Sequence, residues 1–157
     1  MANETMRAIR YHETGEADVL RLEEVPRPTP GEGEVLVRLH AAGINPVDST
    51  IRRGVYFSGP LPAVPGFDLA GTVEAVGPGV SQFQPSQVVF GIGRGTYAEY
   101  SIATPDLLAL KPANLSFDEA ASIPLAARTA WGGLFNLGDL QPGQRVLVHA
   151  AAGGVGV

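Results

Sequence analysis

Gln144-Arg145-Val146-Leu147-Val148-His149-Ala150-Ala151-Ala152-Gly153-Gly154-Val155-Gly156-Val157 is the stretch on which the fold turns. Arg145 to His149 is a short apolar run that reads as a buried parallel strand. A buried strand opening into a glycine-rich turn is how a dinucleotide-binding unit begins. Glycine allows a tight turn and lets backbone amides approach a pyrophosphate with no side chain in the way. Ala152, Gly153, Gly154, Val155 and Gly156 are therefore candidate cofactor-binding residues. The helix that completes such a unit does not follow within the sequence, so the strand and turn read as the first piece of a truncated Rossmann domain. The first position of the glycine pattern is Ala151, and a Gly-Gly turn also closes strands that bind nothing. The motif alone leaves both readings open.

Working back toward the N-terminus, Gln141-Pro142-Gly143-Gln144 is a turn into that strand. Before it, Ala127, Ala130, Trp131 and Leu134 share one helical face, Pro124 suits the first turn of their helix, and Gly138 ends it. Ser116-Phe117-Asp118-Glu119 fits a capping box that starts an earlier helix. The texture changes at Asn114, which places a domain boundary there: 1–114 and 115–157. In the first part, glycine and proline separate short strand-type runs. These are Met6 to Tyr11, Val19 to Val25, Glu34 to Gly43, Leu69 to Val76, Gln87 to Phe90, Thr96 to Ala103 and Leu107 to Lys111. Pro26, Pro28 and Pro30 form a connector that cannot join a sheet interior. Val47 to Arg53 reads as one or two helical turns ended by Gly54. Many short strands with turn signals between them suggest a closed or partly closed β-barrel. The fold class is mainly β with an α/β start.

The 157 residues suffice for one full domain and part of a second. A net charge of −5 argues against nucleic acid or an anionic membrane as the main partner. There is no cysteine, which excludes disulfides, thiolate metal sites and a cysteine nucleophile. The stretch from Met1 to Met6 lacks the pattern of a secretory signal, and no apolar run approaches the ~20 residues of a membrane span. These features point to a cytoplasmic protein.

Five segments, in order, resemble the quinone oxidoreductase branch of the medium-chain dehydrogenase/reductase superfamily. Ala41-Ala42-Gly43-Ile44-Asn45-Pro46-Val47-Asp48 is similar to the segment bordering the nicotinamide in that family. Pro65-Gly66-Phe67-Asp68-Leu69-Ala70-Gly71-Thr72-Val73 is similar to the segment that carries a metal-binding histidine and glutamate in zinc-dependent relatives. Gly95-Thr96-Tyr97-Ala98-Glu99-Tyr100, Leu125-Ala126-Ala127-Arg128-Thr129-Ala130-Trp131 and residues 144–156 follow in family order. The resemblance implies a GroES-like β-barrel, then the first helices and first strand of a truncated Rossmann domain, with the cofactor in the cleft between them. It implies NADPH as cofactor, a quinone or enone as substrate, and a homodimer for the intact protein.

No metal is expected. The zinc-dependent relatives have cysteine where this chain has Asn45, and histidine-glutamate where it has Phe67-Asp68. Phenylalanine cannot ligate a metal, and His12, His40 and His149 are dispersed. Zinc-free hydride transfer remains, with the cofactor doing the chemistry and the protein orienting it. Asn45, Asp48 and Thr50 are the candidate catalytic residues. Asn45 also counts as cofactor-binding, and so does Thr129. Each has a plainer reading: Asn45 as a turn former, Asp48 as a helix-start carboxylate, Thr129 as a hydroxyl bonding back to a carbonyl. Thr50 stands where the family often has tyrosine, which weakens proton donation from that position. Arg52 and Arg53 form a basic pair that greets an anion or is merely solvated. Two other functions compete: a non-catalytic structural or interaction module built on the same barrel, and an enoyl-thioester reductase. A cleft lined by Asn45, Phe67 and Thr129 would favour the enzyme, and a plugged one the module. The chain by itself is expected to bind nucleotide negligibly.

Overall fold

The computed structural model describes residues 4–56 and 59–157, so Met1 to Asn3 of the N-terminal stretch read above lie outside it. Seven strands form in the first two thirds of the chain: β1 (Thr5–Arg10), β2 (Arg21–Pro26), β3 (Val35–Ala41), β4 (Asp68–Val76), β5 (Val88–Ile92), β6 (Tyr100–Ala103) and β7 (Leu108–Leu110). Three α-helices accompany them: α1 (Pro46–Arg52), α2 (Phe117–Ala121) and α3 (Pro124–Trp131). A π-helical turn, Gly132–Leu137, continues α3.

β1 and β2 pair antiparallel in a two-stranded sheet, and the other five lie in the order β6-β3-β4-β5-β7. Residues 97–99 fasten the two sheets together. Ile9 N–H donates to Tyr97 O at 2.8 Å, and Glu99 N–H donates to Arg7 O at 3.0 Å. The result is the partly closed barrel that the short strands imply. Its core is β-branched and leucine-rich: Val35, Val37, Leu69, Val73 and Val89 interdigitate with Phe83 and Ala103. A smaller cluster of Met6, Ala8 and Val25 fills the end beneath β1 and β2. α2 lays Ala120 and Ala121 against Ala70 of β4, which seats the helices on the sheet.

Several expectations need adjustment. The second strand begins at Arg21, because Ala17–Val19 takes a 3₁₀ turn. The run expected from Thr96 pairs as β6 only from Tyr100, since the backbone of Thr96 and Tyr97 bonds to Gly66 and Pro65 instead. β3 buries Val35, Leu36 and Val37 in succession, so both of its faces are covered at its start rather than one.

Residues 144–157 depart most from their expected structure. Arg145 to His149 forms no strand and is exposed, with Leu147 at 81% of full accessibility. A parallel strand is stable only beside a neighbour reached through a crossover helix, and no strand among the described residues pairs with this run. The helical face of Ala127 and Trp131 is uncovered too. Trp131 stands 61% exposed, its ring 4.5 Å from that of Phe135. The local signals there nevertheless hold. Ser116 and Glu119 complete a capping box, Pro124 opens α3, and Gly138 closes the helical segment. Among the described residues, no helix is long and apolar enough to cross a membrane.

Candidate active site

Asn45 is the cap from which α1 starts. Asn45 has extended backbone, Pro46 fits the first helical position, and Asp48 reaches back to accept the Asn45 N–H at 2.8 Å. The same oxygen, Oδ2, accepts the Tyr97 hydroxyl at 2.7 Å. The Asn45 side chain donates its Nδ2–H to Asp68 Oδ2 at 2.8 Å. The other Asp68 oxygen accepts the N–H of Leu125, in the first turn of α3, also at 2.8 Å. Tyr97, Asp48, Asn45, Asp68 and Leu125 thus form one relay that runs from the barrel to α3.

Both carboxylates are buried, Asp48 at 6% and Asp68 at 1% exposure. Burial pushes the Asp68 carboxyl above its usual range. The hydrogen bonds from Asn45 and Leu125 oppose that rise, and the nearby charge of Asp48 adds to it. Burial, followed by its bond to Asp48, holds the Tyr97 phenol well above its ordinary value. Tyr97 is therefore a standing donor at neutral pH. Asp48 Oδ1 and Thr96 Oγ1 are buried with no hydrogen-bond partner among the described residues.

Two glycines make the approach possible. Gly66 has φ +99, and a Cβ there would sit 2.4 Å from Thr96 Oγ1 and 2.5 Å from Tyr97 Cδ1. At Gly43 a Cβ would meet Ala121 O at 2.5 Å and Asp68 Cβ at 2.9 Å.

Beside the relay lies an apolar cleft of about 520 Å³, bordered by Phe67, Ile92, Leu107, Leu125, Arg128 and Thr129. A smaller hollow of about 260 Å³ lies against Tyr11, Asp48, Ile51, Val64 and Phe67. Phe67 borders both.

Residues 31–113 match the family model for the alcohol dehydrogenase GroES-like domain. The chain belongs to that family. This GroES-like chain is 41% identical over 156 residues to a quinone oxidoreductase from Sus scrofa, covering 97% of itself and 47% of that relative. It is 42% identical to a 2-methylene-furan-3-one reductase from Solanum lycopersicum, covering 96% of itself and 42% of the relative. A mycobacterial structure complexed with NADPH superposes with a TM-score of 0.88 at 41% identity, covering 96% of this chain and 47% of that one. The chain spans about half the length of the curated relatives it matches.

Of the GroES-like chain's expected site residues, Asn45 and Asp48 are brought together. Asp48 accepts the Asn45 N–H as a helix-start carboxylate, its plainer reading, but is buried. Thr50 stays outside the relay and donates its hydroxyl to Pro46 O at 2.9 Å. Thr129 borders the cleft, yet its hydroxyl proton goes back to Leu125 O at 2.7 Å, the plainer of its two readings. Asn45 is not among the residues that border the cleft.

Ala152, Gly153, Gly154, Val155 and Gly156 do not border it either. They curl into successive turns closed by Gly153 N–H to Ala150 O and Gly156 N–H to Gly153 O. Those bonds spend two of the segment's amides on carbonyls within the turns.

Arg52 and Arg53 both face Glu16, at 3.9 and 3.0 Å. His12 pairs with Glu23, His40 stacks on Phe117, and His149 is exposed. Among the described residues no three His, Cys, Asp or Glu side chains gather as a metal site would need.

Sequence reasoning missed Asp68 and Tyr97 as site residues. Both sit inside quoted motifs, Pro65-Gly66-Phe67-Asp68 and Gly95-Thr96-Tyr97. Their importance lies in partners 23 and 49 positions away, which no local pattern reveals.

Proposed function

We propose that this chain is the substrate-side portion of a reductase that passes hydride from NADPH to a quinone or an activated alkene without zinc. The observation that carries it is the Asn45 amide. One of its Nδ2 protons is held by Asp68, and Asp48 fixes its backbone, so the second Nδ2 proton is left in a set direction. A preorganised donor of that kind stabilises the oxygen of a carbonyl as negative charge develops on it. The nicotinamide, when bound, supplies the hydride. Phe67 offers an apolar wall in place of a ligand, and Asn45 and Asp68 are engaged with each other, which supports chemistry without a Lewis acid.

The open cleft of about 520 Å³, bordered by Phe67 and Thr129 though not by Asn45, supports the reductase over a filled, purely structural barrel. The relatives' names, a quinone oxidoreductase and a furanone reductase, support the acceptor class. The superposed NADPH complex supports the cofactor. In this reading residues 1–114 form the substrate-side domain and 115–157 lead into the nucleotide-binding one, in a cytoplasmic homodimer.

The test is NADPH oxidation by the whole protein with 1,4-naphthoquinone and with an alkenal. Asn45→Ala should lower kcat/KM by roughly ten- to a hundredfold, chiefly through kcat. Activity unchanged in that variant would remove Asn45 from the chemistry.

A further inference from the structure

The cleft has walls of Phe67, Ile92, Leu107 and Leu125, but two arginines, Arg94 and Arg128, also border it. Their charges are not equivalent. The Arg94 guanidinium is bonded to Glu34. Among the described residues no carboxylate forms an ion pair with Arg128. Asp106 borders a neighbouring hollow together with Arg128, and the two are not paired. The α3 backbone that carries Arg128 is tied to the site. Arg128 lies one turn beyond Leu125, whose N–H is fastened to Asp68.

The last turn of a helix tolerates a cation, which accounts for the presence of a positive charge on α3. Arg128 is exposed and, like Arg21, Arg38 and Arg145, has no ion pair among the described residues; of these four it is the one that borders the apolar cleft, where its guanidinium is open to an anion. A guanidinium beside an apolar wall recognises a flat molecule with an anionic edge, because its planar fork matches carboxylate and sulfonate oxygens.

We infer that Arg128 makes this cleft selective for ring-shaped ligands that carry an anionic group, a carboxylate or a sulfonate. The inference rests on the reductase reading for the cleft's role and narrows its substrate class: among ring-shaped acceptors, one with an anionic edge is preferred several-fold over its neutral counterpart.

The probes are naphthalene-2-sulfonate and its neutral counterpart naphthalene-2-sulfonamide, titrated into this chain and followed by NMR at Phe67, Leu125 and Arg128. The sulfonate is expected to bind about three- to fivefold tighter at low salt, the range of a partly exposed ion pair. That advantage should vanish in Arg128→Gln and in 1 M salt, and persist in part in Arg128→Lys. Sulfonamide binding should be the same in Arg128→Gln as in the parent, which shows that the cleft is intact. Equal affinity for the two probes, or an advantage that survives Arg128→Gln, overturns the inference and leaves the reductase reading standing. If inorganic pyrophosphate shifts Arg128 without shifting Phe67, the residue belongs to a phosphate and the inference is also overturned. If neither naphthyl compound shifts any of the three residues, the cleft binds no ring and the inference is overturned, while the reductase reading, which also admits an alkenal and is tested on the whole protein, is decided by its own assay.

Discussion

The barrel and the segment after it are made of similar residues and end in opposite states. In β4, Leu69 and Val73 are fully buried between sheet neighbours. In residues 145–149, Val146, Leu147 and Val148 are of the same type and stand in the open, as do Trp131 and Leu137 just before them. Propensity and hydropathy do not separate the two. The difference is supply: β4 has β3 on one side and β5 on the other, with hydrogen bonds to both. Among the described residues no strand lies against the later run. An apolar run states a demand for burial, and only a partner at the right distance meets it.

That contrast can be broken by deleting one leucine from each region. Leu69→Ala removes a side chain with no exposure and leaves a cavity among Val35, Val37 and Val89. It should cost about 3 kcal/mol, or a fall in melting temperature of about 6–12 °C for a chain of this size. Leu147→Ala, at 81% exposure, should change stability by less than about 0.5 kcal/mol. Thermal denaturation of the two variants decides it. Comparable losses would mean that the 145–149 run is packed in solution.

The two regions meet at Asp68, which takes one hydrogen bond from the barrel side and one from α3. Asp68→Asn sharpens the comparison. The new side chain can keep its oxygen toward Leu125 N–H, but its amide then faces the Asn45 amide. Asn45 must turn its oxygen inward to accept, and its donor geometry is lost. Folding should survive, whereas kcat/KM of the whole protein should fall by roughly tenfold or more. The pH dependence gives an independent readout. Burial raises the folded-state value of Asp68 above its unfolded value near 3.8, so the folded state holds that proton more readily. The stability it contributes is complete below the unfolded value and is lost as pH rises through the folded one. Asp68→Asn should therefore gain stability relative to the parent as pH rises from about 4 toward neutrality. A constant difference across that range would show that Asp68 is not held high by burial.

These cases also mark how far the sequence could be read. The barrel was legible because its signals are local. Glycine and proline cut the strands, Asn45-Pro46 starts α1, and Ser116 with Glu119 starts α2. Asn45 stood out through the family resemblance of residues 41–48, while its local signal read only as a turn former. Asp68 did not, because inside a strand pattern it reads as one more polar position. Only the folded chain brings Leu125 to it from 57 residues away. Thr129 shows the converse. The family resemblance placed it at the site and it does border the cleft, but its hydroxyl proton is committed to its own helix, a choice made by backbone geometry within one turn. The 145–149 run was read correctly as apolar and incorrectly as buried, since burial depends on a partner that a single segment cannot specify.

The smallest expected effect concerns the glycine turn. Nucleotide binding there needs several backbone amides converging on one pyrophosphate, with a helix dipole behind them. Here Gly153 N–H and Gly156 N–H are spent on carbonyls within the turn, and the segment is exposed. Unwinding those turns would have to be driven by the ligand alone, with no strand or helix to hold the opened form. Adding 1 mM NADPH to this chain should therefore leave its melting temperature unchanged within about 1 °C, since a ligand stabilises only in proportion to its concentration over its dissociation constant. A rise of several degrees would place the dissociation constant well below that concentration. It would then follow that the exposed run and its turn assemble a working phosphate site without a strand beside them, and the distinction between the covered barrel and its uncovered extension would no longer govern binding.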